Sequence, residues 1–195
     1  MKILAFVDLH GNMDVLENIG KLAKEQDVDY IVCLGDITIF EDNYAKLMKK
    51  LDSFGKPVLY LHGNHEGEKT TRKLVNKLKN VKFLHRETHE HKEFLFVGYG
   101  GGGFAQKEPD FEKWVKRLDM KGKKIILLTH APPYNTKLDP IWGESVGVKS
   151  YKKFIKKHQP VLALSGHLHD NEGAVDKVGK TELINPGPWE IVIEV

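Results

Sequence analysis

The chain is poor in cysteine and arginine and has no long apolar run. With a single Cys in 195 residues, Cys33, it can form neither an internal disulfide nor a multi-thiolate zinc site, which excludes a disulfide scaffold and a zinc knot. No stretch approaches the roughly 18 apolar residues of a membrane helix. The N-terminal run Ile3–Val7 is five residues long and is cut short by Asp8 and His10, too little for a secretory signal. The chain therefore reads as cytoplasmic and reducing, with no membrane partner and with Cys33 as a buried, inert thiol. A net charge of +3 does not demand a nucleic acid or a membrane surface. Lys outnumbers Arg by 27 to 3 and there are only 3 Gln, a thermophile-like balance. A hydrophobic fraction of 41% with 29% charged residues belongs to a soluble globular protein and excludes a disordered one, and the length fits one domain over residues 1–195. Histidine is abundant, at ten residues.

Short apolar runs alternate with amphipathic stretches. Strands are predicted at Ile3–Val7, Tyr30–Leu34 and Val58–Leu61, and helices over 13–25, 43–53 and 68–79. This alternation predicts βαβ units around a parallel sheet. The second half is richer in strands. They are expected at Val81–Leu84, Phe94–Val97, Ile125–Thr129, Val161–Leu164 and Ile191–Val195, with a hairpin of Val175–Val178 and Thr181–Ile184 split by Gly179. Two further helices are expected over 110–119 and 148–158. An α/β fold, a β-sandwich with helices on its outer faces, accommodates this order.

The ends of the strands carry the chemistry. Ile3–Val7 leads into Asp8-Leu9-His10, Tyr30–Leu34 into Gly35-Asp36, and Val58–Leu61 into His62-Gly63-Asn64-His65-Glu66. Ile125–Leu128 leads into Thr129-His130, and Val161–Leu164 into Ser165-Gly166-His167-Leu168-His169. Ligand sites of open α/β sheets lie at this carboxyl edge. Residues two apart in an extended segment point the same way, so Asp8 and His10, or His167 and His169, can meet one ion. Any one of these residues alone is an ordinary turn residue, but five strand ends bearing metal-competent groups are not explained by turns. The N/O donor set lacks thiolate and suits Mn, Fe, Zn, Co or Ni. Seven ligands with one shared carboxylate would fill two adjacent metal sites.

These motifs, in this order from Asp8 to His169, resemble the calcineurin-like metallophosphoesterase superfamily. The stretch Thr129-His130-Ala131-Pro132-Pro133, with Lys137-Leu138-Asp139, resembles a small prokaryotic subgroup of predicted phosphoesterases related to cyclic-nucleotide phosphodiesterases. The resemblance implies a four-layer α/β/β/α sandwich and two divalent transition-metal ions, with Mn favoured. It places Asp8, His10 and His169 on the first metal, Asn64, His130 and His167 on the second, and Asp36 bridging both. Asn64 and His65 would touch substrate, with His65 as the acid at the leaving group and Asp36 counted with it in the catalytic machinery. The implied activity is hydrolysis of a small, nucleotide-like phosphodiester by a metal-bridging hydroxide. Phosphomonoesterase and nuclease activities are the alternatives, together with a non-catalytic metal-binding scaffold. Scaffold relatives tend to lose ligands or the acid His, whereas every one of those positions is filled here. Ser/Thr protein phosphatases continue their Gly-Asp with Val-Asp-Arg-Gly; here Gly35-Asp36 continues as Ile37-Thr38-Ile39-Phe40, with no Arg nearby to fork a phosphate.

Glu66 is read as holding its loop through backbone hydrogen bonds, with orientation of His65 as the alternative. His62 is expected to face away from the metals, and His85, His89 and His91 to lie in a surface connection. Gly98–Gly103 is either a phosphate cradle or a loop leaving a strand beside the site. Lys149, Lys152, Lys153, Lys156 and Lys157 read as a solvated helix face in preference to a nucleic-acid surface. The long segment Pro132–Gly147, with Tyr134 and Trp142, is expected to shape the substrate pocket. A homo-oligomer is left open.

Overall fold

Runs such as Ile3–Val7 are apolar without a break because both of their faces are buried. The computed structural model describes residues 1–103 and 105–195. In its first half the elements are β1 (Lys2–Phe6), α1 (Met13–Glu25), β2 (Tyr30–Cys33), α2 (Tyr44–Asp52), β3 (Val58–Tyr60), α3 (Glu68–Val75), β4 (Val81–Phe83), β5 (Glu87–His91) and β6 (Phe94–Tyr99). There follow α4 (Pro109–Val115), β7 (Lys124–Thr129), β8 (Pro140–Ile141), β9 (Glu144–Ser145), α5 (Lys149–His158), β10 (Leu162–Leu164), a 3-10 turn (His169–Asn171), β11 (Val175–Val178), β12 (Thr181–Ile184) and β13 (Ile191–Glu194).

The strands form two large sheets, ordered β13-β1-β2-β3-β4 and β11-β12-β10-β7-β6-β5, with β8 and β9 as a separate small hairpin. Neighbours are parallel except at the edges, where β13, β11 and β5 pair antiparallel. Side-chain alternation sorts the core into three layers. Ile3, Ala5 and Val7 of the first sheet meet Phe96, Ile126 and Leu164 of the second between the sheets. Leu4 and Phe6 face the opposite way, onto Leu16 and Ile19 of α1 and Leu47 of α2. Val97 and Leu127 face Phe111 of α4 and Tyr151 of α5. Helix, sheet, sheet and helix thus make the expected α/β/β/α sandwich.

The helices expected over 68–79 and 110–119 end early, at Val75 and Val115. Beyond each, the chain continues in tighter turns: Lys77 N–H donates to Leu74 O at 3.0 Å and Arg117 N–H to Trp114 O at 3.0 Å. The segment holding His85, His89 and His91 departs further from expectation. It contains β5, an edge strand paired with β6, with His85 buried and His89 and His91 half-buried. His89 Nε2 and His91 Nδ1 both lie within hydrogen-bond distance of the Tyr30 hydroxyl, at 2.9 and 3.1 Å. Two residues apart on a strand, the two rings share its inner face. His85 is only 4% exposed and packs against His62 and Tyr99, with ring centroids 4.7 and 4.9 Å away. The run of charged neighbours hid this, because burial here is set by the edge strand's alternation and not by mean polarity.

Burial pushes His85 down to about 4; the Glu68 carboxylate opposes that shift and Arg86 adds to it. In the unfolded chain the ring titrates near 6.5. The neutral ring's contribution to stability is therefore complete above pH 6.5 and is lost as pH falls toward 4, because the unfolded chain takes up a proton that the folded one refuses. His85→Phe should flatten the dependence of urea-unfolding free energy on pH in that window, by up to about 1.4 kcal/mol per pH unit relative to wild type. Identical slopes would contradict the buried, neutral assignment.

Candidate metal centre

The strands end in turns that most side chains resist. Asp8, His10, Asp36 and His167 have φ of +57°, +46°, +49° and +74°. Asn, Asp and His adopt this left-handed region more readily than other non-glycine residues, so the chain reverses at each carboxyl edge with a metal-competent group at the turn. Two glycines let the loops after β2 and β3 touch. A Cβ on Gly35 would collide with the backbone nitrogen of Gly63, and one on Gly63 with Oδ1 of Asp36.

All seven expected ligand residues converge. In one cluster, ligand atoms of Asp8, His10 and His169 lie within 4.8 Å of one another, with the His10 and His169 Nε2 atoms 3.0 Å apart. Asp36, His130 and His167 form the second cluster on the same criterion of 4.8 Å. His130 Nε2 lies 3.4 Å from Asp36 Oδ2 and 3.0 Å from Asn64 Oδ1, which brings Asn64 into the second cluster. The clusters abut, since the His167 N–H donates to Asp8 Oδ2 at 2.8 Å and the His10 N–H to the Asp36 carbonyl at 3.0 Å. His65 stands at the edge, its Nε2 4.0 Å from Asp36 Oδ2, and its N–H donates to Asp36 Oδ1 at 2.9 Å.

The electrostatics fit a cation. Burial pushes the Asp8 carboxyl up to about 6; the His130 charge opposes this and the Asp36 charge adds to it. Burial would also raise Asp36, but the hydrogen bond and charge of His130 outweigh it and hold the carboxyl at about 2. The same contact lifts His130 to about 9 against its burial. His167 is lowered to about 4 by burial and by the positive charge of His130. Without metal, a proton on His130 supplies the positive charge that Asp36 requires. Among the described residues Asp8 Oδ1 is buried with no hydrogen-bond partner, an orphan lone pair where an ion could bind. The donor set, carboxylate, imidazole and one amide oxygen, suits divalent transition metals.

A family model described as calcineurin-like phosphoesterase matches residues 1–171. The chain belongs to that family. It is 29% identical over 203 residues to the uncharacterized protein MJ1162 of Methanocaldococcus jannaschii, covering 96% of this chain and 88% of that one. Its fold is similar to that of TT1561 of Thermus thermophilus, with a TM-score of 0.79 at 22% identity over 95% of this chain and 88% of the other. A dimetal phosphatase from Danio rerio shares the fold with a TM-score of 0.69 at 14% identity, over 94% and 86% of the two chains.

Beside these two clusters, Glu66 has the structural role expected of it. Its buried carboxylate accepts from Asp36 N–H and Thr38 N–H at 2.9 Å, from the Thr38 hydroxyl at 3.0 Å and from Gly63 N–H at 2.8 Å. His62 turns into a cluster with Phe83 and His85 and joins neither ligand group. The run Gly98–Gly103 covers that cluster: side chains at Gly100 or Gly101 would strike the His62 ring at 2.7 or 2.8 Å. Close packing explains these two glycines. The α5 lysines are in part engaged locally, Lys152 with Asn135 O at 2.8 Å and Lys153 with Glu112 at 3.6 Å. Lys149 sits 4.7 Å from the centroid of the Tyr134 ring. The segment Pro132–Gly147 holds the β8–β9 hairpin, which brings Ile141 to a cavity of about 240 Å³ shared with His167 and His169.

Sequence reasoning missed the groups that orient the imidazoles. His169 Nδ1 lies 3.1 Å from Glu172, and His130 Nδ1 donates to Leu34 O at 2.9 Å, so both rings present Nε2 to the centre. Glu172 is three residues after His169, a spacing that a helical turn at His169–Asn171 would have made visible. The Leu34 carbonyl left no signal, since any residue carries one. Glu66→Gln replaces one accepting oxygen by a donor among four donors. It should cost about 2 kcal/mol or more in urea unfolding of the metal-free protein, whereas Glu87→Gln, at an exposed position at the start of β5, should change little.

Proposed function

We propose that the chain is a two-metal hydrolase of a small phosphodiester, with Asp8, His10 and His169 holding one ion, Asn64, His130 and His167 the other, and Asp36 shared. The observation that carries this reading is the junction of the two clusters through the Asp8 to His167 amide hydrogen bond at 2.8 Å. Bound there, two divalent ions would supply a nucleophile from water at neutral pH and positive charge for the phosphate oxygens. Mn is the favoured metal, and Fe, Zn, Co or Ni are compatible with the same donors.

The chain's own groups supply the rest. The Phe40 N–H donates to His65 Nδ1 at 3.3 Å, which leaves the proton of a neutral imidazole on Nε2. In its imidazolium form the ring can hand the Nε2 proton to the departing oxygen and return to this neutral state, which is the work of a general acid. Asn64 offers an amide beside the same position. Two arginines lie against aromatic rings, Arg72 5.0 Å from the centroid of Phe83 and Arg86 5.9 Å from that of Tyr99, so no guanidinium of theirs is committed to a terminal phosphate. That favours the singly charged diester over the more highly charged monoester.

Manganese-loaded protein should hydrolyse bis-p-nitrophenyl phosphate faster than p-nitrophenyl phosphate. Prolonged chelation, and separately Asp36→Ala, should each abolish turnover. Preference for the monoester would favour the phosphomonoesterase alternative, and activity on neither would favour the scaffold. His65→Asn should lose about 10²-fold or more with an alkyl leaving group and much less with p-nitrophenolate, which departs without a proton. Equal losses would remove His65 from the acid role.

A further inference from the structure

Phe40 stands out among the side chains around the centre. It is 78% exposed, the largest exposure of any Phe described, and has φ of +47°, a conformation unfavourable for a bulky residue. Exposure forfeits apolar burial and the backbone is strained, so neither feature serves packing. The position is nonetheless held firmly. Thr38 before it is tied to Glu66 through both its N–H and its hydroxyl, at 2.9 and 3.0 Å. Glu41 after it donates its N–H to the Thr38 hydroxyl at 3.1 Å and accepts the Gly67 N–H at 2.7 Å. Strain maintained by a surrounding network marks a functional position.

The ring's neighbours indicate which one. Phe40 packs on His65 with centroids 4.5 Å apart; His65 meets His10 at 4.9 Å, and His10 meets His169 at 4.9 Å. Four rings thus run from the candidate metal ligands out to solvent, with Phe40 as the last. Beside it, Ile39 lines a cavity of about 250 Å³ with His10, Asn43 and Lys46. Its lining is mixed, with Met13, Ile39 and Leu47 as the apolar part and His10, Asp42, Asn43 and Lys46 as the polar part.

We propose that Phe40 is the stacking face of a leaving-group subsite that takes a flat heteroaromatic group of the nucleobase class, carried by the phosphate ester. This rests on the phosphoesterase reading above. His65 delivers its proton to the departing oxygen, so whatever that oxygen carries lies beside His65, where Phe40 offers an open aromatic face. Asn43 and Lys46 stand at the edge of the adjoining cavity and can meet ring heteroatoms.

The test uses two ligands that share a phosphonate head and differ in the attached group, phenylphosphonate and methylphosphonate. Their dissociation constants are measured by calorimetry on the manganese-loaded full chain. Wild type should bind the phenyl ligand about tenfold more tightly than the methyl ligand. Phe40→Asn tolerates the left-handed backbone and keeps the N–H to His65; in it the ratio should fall close to one, and Phe40→Trp should restore it. Equal binding of the two ligands by wild type, or an unchanged ratio in Phe40→Asn, overturns the subsite and leaves the phosphoesterase reading intact. Binding of neither ligand by wild type overturns both.

Discussion

His130 leaves the second sheet and reaches across to the first, where its Nδ1 donates to Leu34 O and its Nε2 faces Asp36 and Asn64. The ring is wholly buried, so neither nitrogen has water as an alternative partner. Everything else at the carboxyl edges is arranged around this crossing. Asp36 is held ionised by the imidazole, and the imidazole is held protonated by Asp36. A buried pair of this kind is expensive to leave half made, and it fixes the distance between the edges of the two sheets at the place where the ligand clusters meet.

A second constraint acts within the first sheet. The loops after β2 and β3 must lie against each other for Asp36 and Asn64 to share a site. Gly35 and Gly63 permit the approach, and Glu66 satisfies the amides that the turn leaves open at Asp36, Thr38 and Gly63. One carboxylate therefore connects the candidate ligand Asp36 to the segment that presents Phe40. The left-handed turns at Asp8, His10, Asp36 and His167 are tolerated because such anchors surround them. Rigidity and strain have the same origin here, and both place donor atoms before an ion arrives.

Much of this was legible from residue order because the relevant periods are short. The parallel core follows from unbroken apolar runs such as Ile125–Leu128, and the hairpin at Gly179 follows from two β-rich runs split by a glycine. The candidate ligands could be found because each follows such a run immediately, so that locating the strand locates the ligand. Glu66 was readable for a similar reason, standing two residues beyond Asn64 in a turn whose amides require acceptors. The strand β5 was not readable, because its alternation carries His and Glu in place of aliphatic residues. Its inner face meets Tyr30, which lies 59 residues away from His89 in the chain. The early ends of α3 and α4 were not readable either, since their helical periodicity continues past the point where the turns tighten.

The sequence by itself determined which groups stand at the strand ends, the sandwich that carries them and the family to which the chain belongs. These depend on local spacing and on apolar patterning, which a linear chain records directly. Tertiary structure decided which nitrogen each imidazole presents, that His62 and His85 are buried together and that an exposed, strained Phe40 rests on His65. Those outcomes depend on contacts between residues distant in the chain, such as His130 with Leu34 O and His169 with His10. Whether a histidine becomes a core ring, an orienting partner or a candidate ligand is set by what the fold brings against it, because the same imidazole chemistry serves all three.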